Sequence, residues 1–215
     1  DIDKKVQRTK NRPLARNLIP IKLALLYVAI LCAVAFLILI QFNTLTIILG
    51  LASMFLAFSY PFMKRITYWP QLFLGLTYNW GVIMAWTAVT GGISSEIVLL
   101  YLAAIFWTLG YDTIYGVQDI VDDEIIGIKS TSIKFKKNIK LFVSICYFLS
   151  SLLIISFFYD LYGLNNFTFL IMIFNLSLIY QIIKFKKNNA KKCLEAFKLN
   201  NLSGFFLFSG ILLIN

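Results

Sequence analysis

Four side chains in the middle of the chain, Asp112, Tyr115, Asp119 and Asp123, recur at steps of three, four and four residues. On a helix that spacing places them on one face, with Asp119 and Asp123 one turn apart. Stacked carboxylates repel each other, so the pattern points to a cation between them. With only oxygen donors nearby, the expected ion is Mg²⁺, which takes one or two protein carboxylates and leaves its other positions to phosphate oxygens or water. Gly127, Lys129, Ser130 and Thr131 follow directly. A glycine, a cation and two hydroxyls suit the oxygens of a diphosphate. Without that chemistry the stretch is a solvated acidic loop followed by lysines at a membrane surface.

Two other polar segments carry related groups. Near the start, Asp1, Asp3, Arg8, Thr9, Lys10 and Arg12 again put acid before base, as Asp3 precedes Arg8 and Asp123 precedes Lys129. Two such clusters on one face of a helical bundle would hold a metal-bound diphosphate between them. In Tyr60–Gln71, Lys64 and Arg65 lie between Pro61 and Pro70, which predicts a stiff loop with two cations near the mouth of the bundle. The arginine fork fits a carboxylate or phosphate in bidentate fashion. Taken singly, each of these two segments also reads as a basic flank.

The elements that must position these groups are apolar. Long hydrophobic runs cover 22–40, 45–62, 71–90, 96–111, 140–159, 166–183 and 199–214. A membrane-crossing helix needs about 20 residues, and in lipid only a helix satisfies its own backbone within one segment. The expected fold is therefore all-α, a polytopic transmembrane bundle of seven helices in one domain, with the 16-residue runs at 96–111 and 199–214 marginal in length. All 20 Lys and Arg, and eight of the ten carboxylates, fall in four polar segments that alternate with four holding no basic residue. The positive-inside bias makes the basic segments cytoplasmic and puts all the candidate chemistry on that face. The net charge of +10 is thus a topology signal and an affinity for the anionic bilayer surface. Nucleic-acid binding is a poor explanation, because its basic stripe would not alternate with membrane spans.

Histidine is absent, which excludes imidazole metal sites, Ser-His-Asp triads and histidine general bases. Cys32, Cys146 and Cys193 show neither ligand spacing nor a pairing pattern. A cation-coupled transporter would place ionisable residues within its spans. Here only uncharged polar groups such as Asn79 and Asn175 lie near span centres. A non-catalytic membrane subunit would tolerate Asp119→Ala.

Three strings, Asp3–Ala15, Tyr60–Gln71 with Leu74-Gly75, and Tyr111–Thr131, resemble in type and order the motifs of the UbiA superfamily of intramembrane prenyltransferases. The likeness is strongest to its 4-hydroxybenzoate branch in ubiquinone biosynthesis, with the haem, menaquinone and chlorophyll branches as alternatives. The resemblance implies a nine-helix bundle with a cavity facing the cytoplasm, in a bacterial inner membrane or a mitochondrial one. It implies transfer of a prenyl group from polyprenyl diphosphate to the ring of 4-hydroxybenzoate. Two Asp-rich motifs would bind Mg²⁺, the first through Asp3 and the second through Asp119 and Asp123. Arg8, Arg12 and Lys129 would contact the diphosphate, and Lys64 and Arg65 the acceptor carboxylate. Asp112 and Tyr115 would order the cavity or accept a proton. In that family the first motif has the form Asn-Asp-x-x-Asp-x-x-x-Asp, of which only Asp3 is present. The missing part would precede residue 1 with two helices, so the 215-residue chain is expected to be impaired or inactive by itself.

Overall fold

Polar caps cut the apolar runs into helices. The computed structural model describes residues 10–214. Asn43, Ser94, Ser130, Asn165 and Asn189 each accept a hydrogen bond from a backbone N–H three residues on, at the starts of α2 (Thr44–Ile66), α5 (Ser95–Gly116), α7 (Thr131–Lys134), α9 (Asn166–Lys184) and α10 (Ala190–Lys198). Such caps satisfy donors that the first turn leaves open. Gly91 and Gly127 end α4 (Trp80–Thr90) and α6 (Ile120–Ile126) at φ 75° and 78°, a left-handed conformation that glycine adopts without steric cost. The remaining helices are α1 (Ile21–Leu39), α3 (Pro70–Tyr78), α8 (Ile139–Phe157) and α11 (Asn200–Leu212).

The all-α bundle expected from the sequence is present, with three local differences. Among the described residues, six segments are long and apolar enough to cross a membrane. The seventh run forms the 13-residue α11, about 20 Å long against a hydrocarbon core of about 30 Å. The run 71–90 is one span broken at Asn79 into α3 and α4. The Asn79 amide donates to the Gly75 and Ala104 carbonyls and to Thr108 Oγ1, at 2.9, 3.2 and 2.8 Å. That polar group is used in joining helices and is not a cation site in mid-membrane. The run at 96–111 is the start of a longer helix, α5, which continues through a 3₁₀ turn at Val117–Asp119 into α6.

The core forms around α5, which packs against α3, α4, α8 and α10. It carries the buried Ala103, Ile105, Leu109 and Ile114. By contrast α1 buries none of its residues and packs mainly on α2. Its exposed Ile, Leu and Phe side chains suit acyl chains, which are as apolar as leucine. Polar bonds tie the helices where lipid offers no partner. Tyr147 on α8 donates to Gln181 Oε1 on α9 at 2.6 Å, and Gln181 Nε2 donates to Ser203 Oγ on α11 at 2.9 Å. Trp107 Nε1 donates to Asn200 Oδ1 at 2.9 Å. Tyr147→Phe removes the donor facing a fully buried glutamine. We expect it to cost about 1 kcal/mol, read as a lower unfolding midpoint of the purified chain in detergent. An unchanged midpoint would show that this bond carries no stability.

The cysteines behave as packing residues. Cys193 is buried on α10, its thiol donates to the Lys186 carbonyl at 3.2 Å, and burial pushes it up to about 11. At neutral pH it is a protonated, unreactive thiol.

Candidate functional site

The C-terminal end of α5 delivers the site. Asp112, Tyr115 and Gly116 occupy its last turns, Asp119 closes the 3₁₀ turn and Asp123 lies in the first turn of α6. The sequence pattern assumed one unbroken helix. Despite the 3₁₀ interruption all four predicted side chains line a single cavity of about 230 Å³. Asp119 and Asp123 are only 6% and 4% exposed, so two carboxylates are held largely away from water. A buried charge is stable only where a partner or bound cation compensates it.

Positive groups reach the same cavity from two other segments. Arg12 arrives from the N-terminal segment and Lys64 from the end of α2. The backbone fixes the second approach, because the Lys129 N–H donates to the Lys64 carbonyl at 2.9 Å. That bond ties α2 to the loop that follows α6. Arg12, Lys64 and the aspartates belong to three of the four basic segments, so the cavity lies at the basic end of the bundle.

Four expectations change here. Lys64 and Arg65 are not in a loop, because α2 runs to Ile66 with Pro61 inside it. Adjacent residues on a helix point about 100° apart, so Lys64 lines the cavity while Arg65 is exposed and outside its lining. Lys129 also lies outside the lining. Its ammonium donates to the Ile66 carbonyl at 3.1 Å and sits 5.6 Å from the centre of the Tyr68 ring. Ser130 and Thr131 are buried and used structurally. Ser130 caps α7, and Thr131 bonds to Thr113 at 2.7 Å through its hydroxyl and to Gln71 Oε1 at 2.9 Å through its N–H. Asp3 and Arg8 lie outside the described residues.

Tyr60, Pro70, Gln71 and Gly116 line the cavity without having been singled out. Tyr60 precedes Lys64 by one helical turn, a spacing that gives the two a common face. Reading Tyr60–Gln71 as a loop hid that signal. Gly116 is required by close approach, since a Cβ there would lie 2.6 Å from Ser132 Oγ and 3.2 Å from Gln71 Nε2.

Among the described residues, no three carboxylate, thiol or imidazole groups converge closely enough to cage an ion. The donors present are therefore a buried carboxylate pair, Asp119 and Asp123, with Asp112 on the same wall. That donor set fits Mg²⁺, a hard ion bound through one or two carboxylates and completed by phosphate oxygens. Lys64→Ala should weaken binding of inorganic diphosphate or of benzoate by about tenfold or more, the range of a charge-assisted contact. Arg65→Ala should leave both within about twofold, as befits an exposed charge. Equal losses from the two, measured by equilibrium binding to the purified chain, would contradict this assignment.

The sequence model of the UbiA prenyltransferase family matches residues 1–209. The mitochondrial 4-hydroxybenzoate polyprenyltransferase of Arabidopsis thaliana is 49% identical over 145 residues, which cover 67% of this chain and 36% of that protein. The 4-hydroxybenzoate octaprenyltransferase of Psychromonas ingrahamii is 37% identical over 214 residues, covering 99% of this chain and 74% of that one. The apo structure of a UbiA homolog from Aeropyrum pernix K1 superimposes with a TM-score of 0.83 at 26% identity, covering 99% of this chain and 79% of that one. The chain spans about half the length of several mitochondrial relatives that it matches.

Proposed function

Because the chain belongs to the UbiA prenyltransferase family, we propose that it carries the core of an aromatic prenyltransferase that joins a polyprenyl chain to 4-hydroxybenzoate. The observation that supports this most directly is the cavity where Asp119, Asp123, Arg12 and Lys64 meet at one end of the bundle. The whole chain would act as one membrane domain, in a bacterial inner or a mitochondrial membrane.

Asp119 and Asp123, with Asp3, would hold Mg²⁺ against the donor diphosphate. Bound there, the ion supplies positive charge that makes the diphosphate a better leaving group. The cations of Arg12, and of Arg8 beyond the described residues, would add contacts to the same phosphates. As the allylic C–O bond breaks, its electron pair leaves with the diphosphate, and these fixed cations stabilise the growing charge more than they stabilise the bound donor. Lys64 would orient the acceptor through its carboxylate. The ring carbon ortho to the phenol then forms the new C–C bond with the allylic carbon, and the ring loses a proton. Asp112 is the carboxylate on the cavity wall that would take it. Tyr115, tilted against Phe197 with ring centroids 4.5 Å apart, would hold the wall in place.

The test supplies membranes containing the chain with labelled geranyl diphosphate and either 4-hydroxybenzoate or a dihydroxynaphthoate, with and without a Mg²⁺ chelator. Mg²⁺-dependent binding of the donor is measured beside turnover. The expected result is chelator-sensitive binding and a product, at low yield, from 4-hydroxybenzoate only. Preference for the naphthoate would move the chain to another branch of the family. Binding that ignores the chelator would overturn the metal assignment.

A further inference from the structure

The 3₁₀ turn that carries Asp119 has a second face, and that face borders another cavity. Val117, Ile120 and Val121 wall a space of about 410 Å³ that also receives Lys136, Lys187 and Asn188. None of these lines the site described above. Lys136 precedes the first residue of the α8 span by three positions, and Lys187 follows the last residue of the α9 span by three. Both ammonium groups therefore lie just outside the hydrocarbon, at headgroup depth. The apolar wall beside them is open, with Val121 68% exposed and neighbouring Ile125 80% exposed. Exposed to water, such aliphatic groups are unfavourable, whereas at the acyl boundary they are at home.

We propose that this cavity binds one anionic phospholipid, its phosphate between Lys136 and Lys187 and its first acyl carbons on Val117, Ile120 and Val121. Lys136 is paired with Glu124 at 2.8 Å, but both side chains are about half exposed, at 53% and 41%. Such a pair is worth little and yields to a stronger anion. Lys187 has no ion-pair partner among the described residues, and Asn188 beside it makes no side-chain hydrogen bond there. α10 begins at Ala190, which also lines the cavity, and the positive end of its dipole favours an anion. A free phosphate would use the lysines and leave the apolar wall uncovered, which is why a lipid fits better. The bound lipid would brace the 3₁₀ turn from the side opposite Asp119 and Asp123, making the order of the metal site depend on the anionic content of the membrane.

The experiment uses the whole chain in phosphatidylcholine nanodiscs doped with phosphatidylglycerol that carries a photoactivatable group near the headgroup. Labelled peptides are mapped by mass spectrometry. The expected label falls on residues 117–121 and 187–190 and drops about fivefold for Lys136→Gln or Lys187→Gln, the effect of about one lysine at an anionic surface. It stays unchanged for Lys140→Gln, which removes a basic residue outside the cavity. An equal drop from Lys140→Gln would reduce the effect to a diffuse positive surface and overturn the site. Equal labelling by photoactivatable phosphatidylcholine would also overturn it. Displacement of the label by millimolar inorganic phosphate would assign the cavity to a free anion instead.

Discussion

Asp119→Asn and Asp123→Asn should each lower prenyl transfer by roughly a hundred- to a thousandfold, while the unfolding midpoint in detergent stays nearly level. Asparagine keeps the shape of aspartate and removes only its charge. Both carboxylates are buried and one turn apart, so a structural role for the charges would make their removal costly. If the charges serve chiefly to hold Mg²⁺, the isosteric amides should leave the metal-free fold nearly as stable as the parent. The two readings therefore differ in the stability change as well as in activity. Donor binding supplies the readout if turnover of this chain is low: Mg²⁺ should strengthen binding of geranyl diphosphate in the parent and have almost no effect in either variant. Retained Mg²⁺-dependent binding in both variants would falsify the carboxylate pair as the metal site.

The bundle was legible because lipid leaves so few solutions. Runs of apolar residues had to be helices, and the alternation of basic segments with segments lacking any basic residue placed the polar groups at one end of them. The site was legible to the extent that it followed helical spacing, as with Asp112, Tyr115, Asp119 and Asp123. The positions of Arg65, Lys129, Ser130 and Thr131 outside the cavity lining were not legible, for a different reason. Charge and hydroxyl content show that a residue can bind phosphate, but not which way it points or what already holds it. Lys129 is taken up by the Ile66 carbonyl and the Tyr68 ring, and Thr131 by Thr113 and Gln71. Those partners lie 18 to 63 positions away in sequence, so no local pattern announces them. Gln71 and Gly116 were missed on the same ground, since each matters through what another helix brings against it. The second cavity at Lys136 and Lys187 likewise arises only when α6, α8 and α10 are assembled.

Gly110→Ala should destabilise the bundle by about 1–3 kcal/mol, the usual cost of overpacking, although alanine is the better helix former by up to about 1 kcal/mol. The added methyl would lie 2.7 Å from Cδ1 of Tyr147 and closer still to the neighbouring ring carbon. That ring is held in place. It is 2% exposed in the core, and its hydroxyl is fixed to Gln181 at 2.6 Å. The glycine lies within the α5–α8 interface, the most extensive in the bundle, so the strain would fall on the helix that carries Asp112 and Tyr115. Gly50→Ala is the control. A Cβ there also meets a close neighbour, but that neighbour is the end of the Leu39 side chain, which can change rotamer on the lightly packed α1. Its cost should be offset by the gain in helix propensity, leaving the midpoint nearly unchanged. Gly116→Ala should fall between the two, since Ser132 Oγ can rotate only by giving up its 2.7 Å bond to the Thr113 carbonyl. Thermal unfolding of the three purified variants ranks them. Adding Tyr147→Leu to Gly110→Ala tests the cause, because removing the ring should make the double variant more stable than the sum of the two single losses predicts. Strict additivity would mean that Gly110 is needed for some reason other than the approach of Tyr147.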